Sequence, residues 1–227
     1  MHIPDGFLNN GAASSLIVVA AGAVVFAFSK IREAFFVKEK VAVLKTPEGI
    51  EMSGSAVTRL TQYGKSKIFK MLTLGVFIFG AQLLDFANIQ GFPIHFLGGT
   101  LAAIILGPLE GFLVITVVLI VQCLALGDGG LMALGANIFN MGIIGTIGAG
   151  YLYHFFIKHI KKNQMVAGGV AFLSVLLTAV FYGGELAMVN YQSLSFGQIM
   201  SINLLVGTIE GILTILFLKL FRYKENN

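Results

Sequence analysis

Residues 165–189 read MVAGGVAFLSVLLTAVFYGGELAMV, and Glu185 is the one charged side chain among them. A helix needs roughly 20 mainly apolar residues to cross a bilayer, and this stretch meets that length. It shows no polar face at helical spacing, which an amphipathic helix on a soluble core would carry. Working outward, further apolar runs fall at 12–29, 69–88, 95–107, 111–126, 131–156 and 198–221. The 95–126 region is broken by Gly107-Pro108 and Glu110-Gly111. Proline stops a helix, so the break predicts a two-helix hairpin. Across the whole chain 56% of residues are hydrophobic and 11% charged, against about 25% charged in soluble domains. The sequence therefore predicts an all-α integral membrane protein with about seven transmembrane helices, a single membrane domain over residues 1–227.

The fifteen Lys and Arg residues set the orientation. Nine lie between Lys30 and Lys70, three at Lys158, Lys161 and Lys162, and three at Lys219, Arg222 and Lys224. Seven crossings put all of them on one side, which the positive-inside rule makes the cytoplasm. The N-terminus, the 89–94 loop, the Gly127–Gly130 turn and the 190–197 loop then lie outside, with the C-terminus inside. Residues 30–68 read as a basic cytoplasmic loop, either plain or a docking surface for a cytoplasmic partner. Within it, residues 41–45 and 50–52 flank Thr46-Pro47-Glu48-Gly49 in the pattern of a small hairpin. The net charge of +4 does not indicate nucleic acid, because no basic face with interleaved aromatics appears. Cys123 lies within an apolar run and reads as packing.

Catalytic patterns are absent. Gly64-Lys65-Ser66 resembles the end of a phosphate-binding loop, but Arg59 stands where its first glycine is needed. There is no H-E-x-x-H and no G-x-S-x-G. His154 and His159 are five apart, about 140° around a helix, so they make a poor metal pair. The chain reads as a non-catalytic protein.

The N-terminus is different. Met1-His2-Ile3-Pro4-Asp5-Gly6 has no basic region ahead of an apolar run and does not read as a cleaved leader, so Met1 is expected at the mature N-terminus. Its amine, the amide nitrogen of residue 2 and the His2 imidazole can close two chelate rings on one ion. One further nitrogen completes a tetragonal set that suits Ni²⁺ or Cu²⁺. Pro4 and Asp5-Gly6 can turn the tail back, and Asp5 can hold an imidazole N–H from behind the ligand. Residues 1–11 are thus either a metal-binding tail or a solvated one. His95 falls on the same outer side as His2, as a ligand or an interfacial histidine, with Gly98 and Gly99 allowing close backbone approach beside it.

Carboxylates within the membrane are costly and point to function. Asp85 and Glu185 lie near outer helix ends. Glu210 lies twelve residues into the last run, roughly 18 Å along it at 1.5 Å per residue. It is a ligand, a proton site or a hydrogen-bond anchor between helices. Asn137 and Asn140 share a helix face and read as polar glue or as support for a site. An alternative function is a proton-coupled secondary transporter using Glu185 or Glu210.

Several blocks together resemble one family. Met1-His2-Ile3-Pro4-Asp5-Gly6-Phe7-Leu8 resembles the start of the CbiM/NikM substrate-capture proteins of energy-coupling factor (ECF) transporters. Residues 97–108, LGGTLAAIILGP, and residues 128–141, DGGLMALGANIFNM, are similar to two further family blocks, and Glu210-Gly211 to a third. The likeness runs in order over most of the chain. It implies capture of Co²⁺ or Ni²⁺ by the Met1 amine, the His2 amide and imidazole, and a histidine that maps onto His95. It also implies partners: a membrane coupling component, cytoplasmic ABC ATPases and often a small accessory membrane subunit. The setting implied is the cell membrane of a prokaryote. The chain departs from the pattern in three places. Ile94 precedes His95 with no insert between them, Asn203 stands where a histidine is expected, and the 30–68 loop is longer than usual.

Overall fold

The computed structural model describes residues 3–40, 56–84, 87–89, 92–160, 163–188 and 195–221. The chain is helical nearly throughout. Helix α1 (Asn10–Phe35) begins where the Asn9 side chain accepts the Ala12 N–H, a standard way to satisfy an orphan donor at a helix start. A two-stranded antiparallel ribbon follows, β1 (Phe36–Lys40) with β2 (Ala56–Leu60). Helix α2 (Gln62–Gln82) is capped by the Thr61 hydroxyl. A short hairpin, β3 (Ala87–Ile89) with β4 (Phe92–Ile94), leads to α3 (Gly99–Leu106) and α4 (Pro108–Val121). Helix α4 runs into a π-helical turn at Gln122–Leu126. Helix α5 (Leu134–Asn137), a π-helical stretch (Ile138–Gly148) and α6 (Ala149–Ile157) form one continuous rod. Helices α7 (Asn163–Met188) and α8 (Phe196–Leu220) complete the fold.

Among the described residues, four helices are long and apolar enough to cross a membrane: α1, α4 with its π turn, α7 and α8. With these spans the chain is a multi-pass, all-helical membrane protein.

Several boundaries differ from the hydropathy runs, each for a local reason. Helix α1 continues to Phe35 and α2 starts at Gln62, so the expected 30–68 loop is helical at both ends. Thr61 closes the junction, its N–H and hydroxyl donating to Phe35 O and Ala34 O. The ribbon flanks the expected 41–52 hairpin, which lies outside the described residues. Helix α2 stops at Gln82, although the apolar run continues to residue 88. Helix α3 has eight residues, roughly 12 Å, too short to cross alone. The expected break at Gly107-Pro108 does separate α3 from α4.

Small residues let the rods approach closely. A Cβ on Gly99 would lie 2.6 Å from Gly145 O, and one on Gly111 would lie 2.8 Å from Ala102 C. Helices packing in lipid commonly use small residues this way. Ala13, Ala20 and Ala27, seven apart along α1, are buried. One core gathers α1, α2, α3, α4, the π-helical stretch, α6, α7 and α8. A second, smaller one includes Ile3, Ala133, Ala136, Ala179, Tyr182, Leu186 and Ile199.

Candidate metal-capture site

The tail before α1 is embedded in the protein. Ile3 has 0% of its surface exposed and packs against side chains of α7 and α8. Asn137 grips it from both sides. The Asn137 Oδ1 accepts the Ile3 N–H at 2.7 Å, and its Nδ2 donates to Ile3 O at 3.2 Å and Gly129 O at 2.7 Å. Asn137 is the last α-helical residue before the π-helical stretch. One amide thus ties the tail, the Gly127–Gly130 turn and the α5–α6 rod together.

Asp5 fixes the tail a second time. Its carboxylate accepts the N–H groups of Leu131, Met132 and Ala133 at 3.0, 2.7 and 3.2 Å. These donors sit just ahead of α5, where backbone N–H groups lack helical partners and favour an anion. Asp5 supports the tail through backbone donors, where the sequence reading had given it an imidazole. A Cβ on Gly130 would run into Asp5 Oδ1 and lie 2.5 Å from its N, so the turn needs glycine there. Gly6, at φ +87°, lets the chain leave the socket toward α1.

His95 lies in the segment 95–98 between β4 and α3, outside helix and strand, and is 4% exposed. Its Nδ1 is 3.1 Å from Phe96 O. A carbonyl only accepts, so that contact calls for a proton on Nδ1. The segment is held rigidly. Leu97 and Gly98 donate their N–H groups to the two Glu210 oxygens at 2.8 and 2.9 Å. Gln82 Nε2 donates to Leu97 O at 2.6 Å, and Gln122 Nε2 donates to Gln82 Oε1 at 2.9 Å. Gly98, at φ +77°, starts α3, and a Cβ there would lie 2.8 Å from Ile78 Cγ2. Of the three roles open to Glu210 in the sequence, the geometry gives it that of an anchor between helices.

Asn140 lies next to this frame. Its Nδ2 donates to Glu185 Oε2 at 2.7 Å, and its backbone carbonyl accepts the Thr178 hydroxyl at 3.2 Å. It thus joins the π-helical stretch to α7. Asn203 donates to Ile199 O of its own helix. His154 and His159 each contact a carbonyl four residues back, Gly150 O at 2.7 Å and Phe155 O at 3.0 Å. Met1, His2 and Asp85 lie outside the described residues. Among the described residues no three His, Cys, Asp or Glu side chains converge as a metal cluster. Gln82 and Gln122 are buried parts of the frame that sequence reasoning missed. A buried neutral amide near a helix end carries no charge to draw notice.

The chain's own sequence now places it. Residues 50–226 match the model of the CbiM family, described as "Cobalt uptake substrate-specific transmembrane region". The chain belongs to the CbiM family. Among relatives of this CbiM chain, a protein of Archaeoglobus fulgidus is 32% identical over 94% of the chain. Its name puts it forward as a fused nickel transport protein, NikMN, and the present chain spans 63% of its length. A cobalt transport protein CbiM of Acetoanaerobium sticklandii is 31% identical, over 95% of this chain and 82% of its own. The same fold occurs in a crystal structure of a truncated transition metal transporter, with a TM-score of 0.78 and 20% identity. The match covers 99% of the CbiM chain and 100% of the other.

Proposed function

We propose that this CbiM-family chain captures Ni²⁺ or Co²⁺ at the outer face of a prokaryotic cell membrane, as the substrate-binding subunit of an ECF-type uptake system. The energy comes from cytoplasmic ABC ATPases acting through a membrane coupling component, with a small accessory membrane subunit as a further partner. The chain itself is not expected to hydrolyse ATP, because Arg59 stands where a phosphate-binding loop needs its first glycine. Seven crossings with the N-terminus outside bring the tail and His95 to the metal's side of the bilayer, while the basic segments stay inside.

One observation carries this reading: the grip of Asn137 on both backbone groups of Ile3. A tail that served only as a solvated lead-in to α1 would have no use for a buried socket. Two residues of chain reach at most about 7 Å, so a chelate built on residues 1 and 2 would form within reach of that socket. The metal is then held by the Met1 amine, the His2 amide and imidazole, and the His95 imidazole. Asp5, Asn137, Asn140 and Glu210 hold the surrounding frame. Tetragonal nitrogen donors of this kind suit Ni²⁺.

The test is metal titration of the detergent-purified chain, with and without one residue added before Met1. Extension displaces the amine from the His2 chelate, and tight binding of Ni²⁺ or Co²⁺ should be lost. Equal affinity in the two proteins would remove the amine from the ligand set and overturn this mechanism. The rival reading, a proton-coupled transporter, predicts uptake into vesicles containing this chain alone. The engagement of both Glu210 oxygens by backbone N–H groups argues against Glu210 as its proton carrier.

A further inference from the structure

A groove runs along the side of the bundle where α1, α2 and α4 meet. Its walls carry Phe28 of α1, Ile68, Leu72 and Phe79 of α2, and Leu113 and Val121 of α4, and every lining residue is apolar. The cavity measures about 530 Å³, within the range of ligand-sized sites. Phe28, Leu72 and Val121 remain exposed, so the groove opens sideways, toward lipid. On α2 its lining runs from Ile68 to Phe79. Eleven steps at 1.5 Å make roughly 16 Å, about half of the 30 Å hydrocarbon core. The groove is thus as deep as one leaflet. A partner helix crossing the whole bilayer would need about twice that length.

Cations gather at one end of it. Helical spacing puts Arg32 one turn beyond Phe28 on α1 and Lys65 one turn ahead of Ile68 on α2, on the faces that line the groove. Both are exposed. Lys67 joins two of the walls. Its Nζ lies 3.9 Å from Oε1 of Glu110, which stands one turn ahead of Leu113 on α4. That is too long for a hydrogen bond, so the ammonium keeps donors for another oxygen. Against these three cations the same end carries Glu110. Glu33 follows Arg32 on α1 but is turned about 100° from it. An apolar trough that ends in an excess of positive charge is complementary to one kind of molecule, with a hydrocarbon chain below and an anionic phosphate above.

We propose that this groove binds one anionic phospholipid, its acyl chain lying between α1, α2 and α4 and its phosphate held by Arg32, Lys65 and Lys67. The inference does not depend on the metal reading. In the orientation proposed above the basic end faces the cytoplasm, the side on which the membrane surface is negative and attracts such cations. A zwitterionic lipid can lay the same chain in the groove, but its headgroup brings a positive charge that the three cations repel. The bound chain fills the space between α1 and the α2–α4 pair, and so braces the helix that follows the N-terminal tail.

The experiment uses the full chain in detergent, with dioleoyl phosphatidylglycerol, dioleoyl phosphatidylcholine or inorganic phosphate added. Native mass spectrometry counts the lipid retained, and thermal unfolding is followed alongside. The two lipids have identical chains, so the headgroup alone separates them. One phosphatidylglycerol per protein should be retained, preferred over phosphatidylcholine by roughly fivefold for each cation engaged, and it should raise the melting temperature. Phosphate alone should not. Arg32→Gln combined with Lys65→Gln should lose most of the preference. Val76→Trp fills the groove from an exposed lining position without changing charge, and should lose both lipids. Lys158→Gln removes an exposed cation outside the groove and should behave as wild type. Equal retention of the two lipids by the wild-type chain would overturn the proposal. So would a double variant that keeps the preference, or a Trp variant that keeps the lipid. Stabilisation by phosphate equal to that by phosphatidylglycerol would leave only a site for free anions and overturn it as well. If the Trp variant does not fold, the exposed Arg32 and Lys65 variants decide.

Discussion

Asn137 satisfies backbone groups from two segments distant in sequence, Ile3 and Gly129. Asn137→Leu keeps the volume but leaves the buried Ile3 N–H and carbonyl without their partner. Each orphaned group costs roughly 1–3 kcal/mol, so the residues ahead of Asp5 should loosen from the socket while Asp5 still holds the turn. The expected result is a large loss of metal affinity in titration while the helical circular dichroism stays near wild type. Glu210→Gln acts on the other half of the site. A carboxamide offers one oxygen to two N–H donors, so Leu97 or Gly98 loses its acceptor, at a cost of roughly 1–3 kcal/mol. Thermal unfolding should come earlier, and metal binding should weaken through His95. Metal affinity should also fall in acid, because amine and imidazole must shed protons to bind. The fall should show in titrations taken from pH 8 to pH 6. Asn137, Asn140 and Glu210 were legible from sequence because polar groups in apolar runs stand out. Their partners were not. Nothing in one sequence pairs Leu97 with Glu210, 113 positions on, or orients two glutamines 40 apart.

At the scale of elements, the helices were legible and their ends were not. Hydropathy follows lipid, whereas helix ends follow local hydrogen bonds. Thr61 starts α2 by capping Gly64 N–H at 2.9 Å, ahead of the apolar run. Ser195 and Gln198 form a reciprocal capping box that starts α8. The break at Gly107-Pro108 was visible because proline forbids helix continuation. The π-helical stretch at Ile138–Gly148 left no recognisable mark in the sequence, although it carries Asn140 to Glu185. Close crossings make their own prediction. In Gly99→Val the added side chain would collide with the Gly145 carbonyl, 2.6 Å from the new Cβ. Backbone cannot yield as a flexible side chain can, so α3 and the π-helical stretch must separate. The variant should unfold at distinctly lower temperature and lose its His95 segment together with its metal binding. Gly22→Ala is the control, since a Cβ there meets nothing within 4 Å, and its melting point should be no lower than wild type.

At the scale of the molecule, orientation rests on charge placement. In a Cys123→Ser background, an impermeant thiol reagent applied to intact cells should label Asn9→Cys and spare Lys38→Cys. Both positions are exposed. The opposite pattern would reverse the topology. The contacts that frame the site also impose an order on synthesis. Ile3 waits for Asn137, 134 positions later, and the segment of His95 waits for Glu210 in the last helix. At about 5–20 residues per second, the first residues emerge several seconds before the residues that will hold them. Such distant pairings form late, because the intervening chain must be closed first. A ribosome stalled before α8 would leave helices in the membrane with the His95 segment unanchored, so the ability to hold metal marks a chain that has been made to its last helix.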